Sequence, residues 1–214
     1  MTGQELLEIE SLCQAFFISS APADAAHDIA HVQRVVKNTR EITQMEDADA
    51  GITLPAAWLH DCVAIAKDDP RRSQASRLAA DAAVSFLKET GYPAEFLDAV
   101  HHAIEAHSFS ANIPARSLEA RVVQDADRLD SLGAIGIARC LLVGGKLNRP
   151  LLSAEDPFCA QREPDDGQYT IDHFYAKLLK LPETMQTNSG RKVAEQRADV
   201  MRDYLDTLQA EIEL

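Results

Sequence analysis

Ala56-Ala57-Trp58-Leu59-His60-Asp61-Cys62-Val63-Ala64-Ile65 sets an imidazole and a carboxylate side by side inside an otherwise apolar run. An ionised Asp is almost never placed in such surroundings without a partner, because its desolvation must be offset by a cation or by hydrogen bonds. Three further words of the same chemistry lie outward from this one. Upstream is His27-Asp28-Ile29-Ala30-His31; downstream are His102-Ala103-Ile104-Glu105-Ala106-His107 and Gln124-Asp125-Ala126-Asp127-Arg128-Leu129-Asp130. A His on a helix is ordinarily a surface residue or a hydrogen-bonded core residue. The order His, His-Asp, Asp on separate segments points instead to one shared divalent cation, which offsets the burial of carboxylates and gives neutral imidazoles something to coordinate.

The segments carrying these words have helical periodicity. Leu6, Ile9, Leu12, Cys13, Phe16 and Phe17 recur at spacings of three and four, predicting one apolar stripe on a first helix. Asp24 is expected to cap a helix through Met45, and Pro55 to occupy the first turn of a helix through His60-Asp61. Ser73 to Thr90 reads as a helix stopped by Gly91, and Pro93 opens another through His107. Ser117 caps a helix through Leu129, and Gly133 to Leu147 continues as helix despite Gly136. The Pro, Asp, Glu and Gly content of 148–167 marks an irregular rim, followed by helices at about 170–181 and 191–212. No alternating strand pattern is long enough to build a sheet. The expected fold is an all-α bundle in one domain, with a metal-site core at about 24–130 and a C-terminal helical extension at about 133–214.

Composition narrows the function. The 214 residues are 46% hydrophobic, enough for a sizeable core, and the longest apolar runs fall far short of the roughly 20 residues that span a bilayer. The acidic, amphipathic N-terminus lacks the basic start and apolar stretch of a secretory signal, so a cytoplasmic location is expected. Cys13, Cys62, Cys140 and Cys159 are scattered with no CxxC pair, as reduced thiols are. A net charge of −13 excludes a nucleic-acid polymer as the expected partner. A small phosphorylated ligand, needing only a cation and a few basic groups, remains in play. The state is expected to be monomer or homodimer.

From the residues, the metal is assigned to His31, His60, Asp61 and Asp127, with Asp125 and Asp130 orienting neighbours. His27 and Arg34 share a helix face with His31, and Lys67 and Arg71 follow the His-Asp pair closely enough to meet phosphate charge. His102 is a further substrate-contacting candidate. His107, at an expected helix end, is the better placed to touch a phosphate or move a proton, alongside Asp61.

On these residues the chain resembles the HD-domain superfamily of metal-dependent phosphohydrolases, whose signature is a His, a His-Asp doublet and a later Asp on separate helices. His31, His60, Asp61 and Asp127 match it one for one. The wording of His27 to Val35, Ala106 to Ser110 and Val123 to Leu129 is similar to a subgroup of small bacterial YedJ/YpgQ-like hydrolases. Ala134 to Arg139, Glu155 to Phe158 and Asp172 to Thr187 fit it too, so the likeness runs from about residue 24 to 190. The resemblance implies a helical HD fold, one Mn, Mg or other divalent ion, and hydrolysis of a phosphate ester or anhydride. For the subgroup it implies cleavage of (deoxy)nucleoside triphosphates to monophosphate and pyrophosphate. A nucleotidase-type phosphomonoesterase, a two-metal site using extra His positions, iron-dependent oxygenation and a non-catalytic nucleotide-binding regulatory module are the alternatives on this scaffold.

Overall fold

The computed structural model describes residues 1–20, 29–63, 65, 69, 71–108 and 111–212. Among these the regular structure is helical, with no strand, and no helix is long and apolar enough to cross a membrane. The chain divides into two compact units, Met1–Asp127 with Gln186–Gly190, and Arg128–Met185 with Arg191–Leu214.

The first unit holds α1 (Gly3–Ser20), α2 (Ile29–Glu46), α3 (Ala50–Leu59), α4 (Ala75–Glu89), α5 (Ala94–His107) and most of α6 (Leu118–Leu129). Its centre is α3, which packs on α1, α2, α4 and α5. A helix apolar on every side belongs at a centre, and eight of the ten residues of α3 are buried. On α1 the buried stripe is narrower than its periodicity predicts: Ile9, Cys13 and Phe17 are covered, Leu12 is exposed, and Phe16 stacks on Phe86. Glu10 is buried on the same face, where it accepts from Arg40 at 2.6 Å and from the Trp58 indole at 3.2 Å.

Pro55 departs from expectation. It sits not in the first turn but inside α3, which begins one residue after its cap, Asp49, whose carboxylate accepts from the Gly51 N–H. Proline cannot donate to the carbonyl four residues back, here that of Gly51. The Tyr92 hydroxyl donates to that carbonyl instead, so the defect is repaired from 41 residues away. The helix then ends at Leu59, leaving His60 and Asp61 just past its C-terminus rather than within it. The expected cap Asp24 lies outside the described residues. Gly91, with φ of 75°, ends the turn after α4, and the Ser117 hydroxyl accepts from Ala120 N–H at the start of α6, both as the sequence predicts.

The second unit contains α7 (Gly133–Lys146), α8 (Asp172–Ala176), a 3₁₀ segment (Leu178–Thr184) and the greater part of α9 (Asn188–Ile212). Gly136 is required in α7, since a Cβ there would lie 2.3 Å from the Ser131 carbonyl oxygen. The helix expected over 170–181 is broken at Lys177, whose φ of −137° leaves the helical region, and a tighter 3₁₀ segment containing Pro182 follows. The stretch 148–171 has no helix. It is knit by Asp156, whose carboxylate accepts from the N–H groups of Ala160, Gln161 and Arg162, and by Asp172, which is buried and accepts from both Arg162 terminal nitrogens and from Asp165 N–H.

Candidate metal centre

Three segments of the first unit bring their donors to one point. His31 projects from α2, buried on the face that carries Val32, Val35 and Val36. His60 and Asp61 follow α3 directly, and Asp127 lies near the end of α6. His31 Nε2 stands 3.5 Å from Asp127 Oδ1 and 3.9 Å from Asp61 Oδ2; His60 Nε2 stands 3.6 Å from Asp61 Oδ2 and 3.9 Å from Asp127 Oδ1. These separations exceed hydrogen-bonding distance. They approach what two donors each about 2.1 Å from a common ion would show, which is roughly 3 to 4 Å depending on the angle between them.

The chemistry of the donors fits a cation. His60 is fully buried, and its Nδ1 lies 2.7 Å from the Ala57 carbonyl oxygen, which only accepts, so Nδ1 carries the proton. Nε2 is then a lone-pair donor, and among the described residues it has no hydrogen-bond partner although it is buried. Such an orphan is costly unless something electrophilic takes it up. Burial holds His60 below its ordinary pKa, against the pull of Asp61, so the neutral ligand form is favoured. Asp61 and Asp127 keep about a quarter of their side-chain surface open, at 24% and 28%, whereas the imidazoles are covered. The carboxylates therefore form the solvent-reaching side of the cluster.

His107, the last residue of α5, joins from a fourth segment. Its Nδ1 is 2.6 Å from the Ile104 carbonyl oxygen and its Nε2 is 3.6 Å from Asp61 Oδ1; its ring lies 4.9 Å from that of His60. Burial acts to lower its pKa, but the Asp61 carboxylate beside it and the field of Asp127 more than offset this, so the net direction is upward. Two overlapping donor groups result: His31, His60 and Asp127, and His60, Asp61 and His107.

The other residues singled out in the sequence fall elsewhere. Arg34 is half-buried one turn beyond His31 on α2. Arg71 is exposed and held by Asp69 at 2.8 Å, so it must exchange that partner to meet a phosphate. His102 is in neither donor group: its Nε2 accepts from Arg116 N–H at 3.0 Å, and burial lowers its pKa. His27 and Lys67 lie outside the described residues. Cys62, next to Asp61, donates its thiol to the Ala79 carbonyl and is pushed by burial to a pKa of about 12, the behaviour of a core thiol. Asp130 pairs with Arg139 within the second unit.

Asp125 is buried and accepts from Gln186 N–H, Thr187 N–H and the Thr187 hydroxyl at 2.8–2.9 Å, which latches Gln186–Gly190 onto α6. Gly190 packs so closely that a Cβ would lie 2.5 Å from Asp125 Oδ2. Two positioning residues escaped the sequence reading. The Asn38 amide donates to the Ala126 carbonyl, tying α2 to α6, and the Gln124 amide donates to the Ala106 carbonyl, tying α6 to the His107 end of α5. An amide on a buried helix face demands a partner, and that was the available signal: Asn38 stands between Val35, Val36 and Ile42.

A helical core in which a His, a following His-Asp pair and a later Asp converge on one point defines a metal-dependent hydrolase of the HD type. The HD domain model matches residues 28–132, and the chain belongs to the HD family. Among its relatives is the Bacillus subtilis protein YpgQ, 34% identical over 193 residues that span 88% of this chain and 85% of YpgQ. The crystal structure of YpgQ in complex with ADP is similar at a TM-score of 0.71 and 30% identity, covering 97% of this chain and 95% of that one. An HD-superfamily hydrolase from Bacillus thuringiensis is similar at a TM-score of 0.73 and 30% identity, covering 98% and 97%.

Proposed function

We propose that the chain hydrolyses nucleoside triphosphates, including deoxy forms, at the α-phosphate, releasing the monophosphate and pyrophosphate, with one divalent ion held by His31, His60, Asp61 and Asp127. The observation that carries this is the buried Nε2 of His60, without a hydrogen-bond partner among the described residues, facing two carboxylates that are about a quarter exposed, at 3.6 and 3.9 Å. A bound Mn, Mg or similar ion supplies Lewis acidity toward a phosphate oxygen and lowers the pKa of water. The nucleotide part of the reading is supported by YpgQ, which has been crystallised with ADP.

The protein groups divide the remaining work. The α-phosphorus gains an oxygen from water and loses the bridging oxygen to the β-phosphate, so one proton must be taken up near the attacking side. His107 Nε2, 3.6 Å from Asp61 Oδ1 and fixed through Nδ1, is placed to take it or to hold a phosphate oxygen. Arg34, with Lys67 and His27, answers charge on the triphosphate. Asp125 holds α6 in register through Gln186 and Thr187, which steadies Asp127 two residues on.

The test is product analysis on metal-stripped protein resupplied separately with Mg, Mn and Co, using ribo- and deoxynucleoside triphosphates and monophosphates. Metal-dependent pyrophosphate with nucleoside monophosphate is expected. Orthophosphate from monophosphates would replace this reading with a nucleotidase. Metal and nucleotide binding without turnover would replace it with a regulatory module.

A further inference from the structure

We infer that the second unit carries a separate site for a phosphate-class oxyanion, in a cavity on one face of α7. The cavity, about 160 Å³, is lined by Ser131, Arg139, Cys140, Arg149, Thr170 and His173 among others, all residues of that unit. Its existence is built into the packing. Gly144 lets Thr170 approach so closely that a Cβ would lie 2.3 Å from the Thr170 hydroxyl, while Val143 stands one turn beyond the adjacent Arg139 and Cys140 on α7.

The charge of the lining is one-sided. Among the described residues two guanidiniums and an imidazole line the cavity and no carboxylate does. The nearby acids are engaged as anchors: Asp130 pairs with Arg139, and Asp166 accepts from His173 Nδ1 at 2.7 Å. Arg149 makes no side-chain hydrogen bond or ion pair among the described residues, yet it is half-buried at the cavity wall. Cys140 donates its thiol to the Thr170 carbonyl, and burial, opposed by Arg149, holds its pKa up at about 11, so no thiolate competes with an incoming anion.

Size and geometry select the ligand. A cavity of this volume compares with the roughly 150 Å³ that accepts a molecule of benzene, which suits an inorganic oxyanion and is too small to enclose a whole nucleotide. Guanidinium and hydroxyl donors spread over several wall segments suit the oxygens of a tetrahedral phosphate, whereas a planar carboxylate is served by a single fork. Free orthophosphate and diphosphate share this chemistry. Their binding here would stand whether or not the chain hydrolyses nucleotides.

The experiment is calorimetric titration of orthophosphate and, separately, diphosphate into the full chain, with and without a chelator that removes divalent metal. One metal-independent site is expected for at least one of the two anions, and the tighter of them identifies the ligand. Arg149→Gln should weaken that site about tenfold, the worth of one charge-assisted contact, with Arg149→Lys retaining part of the affinity and Asp127→Ala leaving it unchanged. Binding that vanishes with chelator or in Asp127→Ala, binding equal in Arg149→Gln and wild type, or no binding of either anion would each overturn the inference.

Discussion

Two carboxylate clusters, one in each unit, are built on opposite principles. Asp172 is fully enclosed and satisfied: both terminal nitrogens of Arg162 and the Asp165 N–H supply its hydrogen bonds. In the cluster of His31, His60, Asp61 and Asp127 the imidazole nitrogens stand 3.5–3.9 Å from the carboxylate oxygens, and the buried Nε2 of His60 has no hydrogen-bond partner among the described residues. A carboxylate enclosed by hydrogen-bond donors serves stability, whereas imidazoles and carboxylates gathered around a buried ring nitrogen left without a donor suit a ligand. An unsatisfied buried group costs stability, and its presence at His60 Nε2 is what supports the proposed metal site.

The largest expected effect follows from breaking the open cluster. Asp127→Ala should lower metal-dependent turnover by about a thousandfold or more, the loss of several kcal/mol of metal-centred stabilisation, while the metal-free protein unfolds in denaturant at about the wild-type midpoint. The same variant should lose the thermal stabilisation that divalent metal confers on wild type, which mass action puts at about 2.7 kcal/mol when metal is at a hundredfold its Kd. A thermal scan with and without metal checks this. A large fall in metal-free stability would mean that the carboxylate is structural.

The closed cluster should respond in the opposite way. Asp172→Ala strands Arg162 and Asp165 N–H, and should cost about 3 kcal/mol in denaturant unfolding with turnover retained by the folded fraction. Its pH dependence has a definite sign. Burial acts to raise the Asp172 pKa, but the Arg162 bonds and charge and the Asp165 N–H outweigh it and hold the group below its ordinary range. The stabilisation is therefore complete above the unfolded value, about pH 4, and is lost as pH falls through the lower folded value. The stability gap between wild type and Asp172→Asn should be widest near neutrality and close in strong acid.

Asp125 sharpens the contrast because it sits on the same helix as Asp127, two residues away, yet is satisfied by Gln186 and Thr187. Asp125→Asn should cost about 1–3 kcal/mol and weaken metal binding about tenfold to a hundredfold by loosening α6. Titrations of metal into both variants separate the two roles. Equal metal affinity in Asp125→Asn and wild type would leave the latch a purely structural tie.

Much of this was legible in the sequence. Helical spacing, the caps and stops at Ser117, Gly91 and Pro93, and the ordered His, His-Asp and Asp words are local signals, and the structure brings His31, His60, Asp61 and Asp127 together. What was not legible depends on partners distant in the chain. The Asp125 latch joins residues 61 and 62 positions apart, and the Asn38 tie to Ala126 spans 88. His102 reads as a site residue by its spacing to His107, but a five-residue step on a helix diverges, and the structure gives it to Arg116 N–H.

The smallest effect tests whether a closed polar group can be opened without consequence for the site. Pro55 sits in mid-helix only because Tyr92 caps the Gly51 carbonyl that Pro55 cannot serve. Tyr92→Phe should leave that buried oxygen short of a donor and cost about 1 kcal/mol, with metal binding unchanged. Pro55→Ala restores an N–H four residues along, so it should recover part of the loss in the Tyr92→Phe background while gaining less in wild type, where Tyr92 already occupies the carbonyl. The double-mutant cycle measured by denaturant unfolding should therefore show a coupling near 0.5–1 kcal/mol. Strict additivity would mean that the hydroxyl and the proline are independent, and that the interior proline is tolerated by packing of α3 alone.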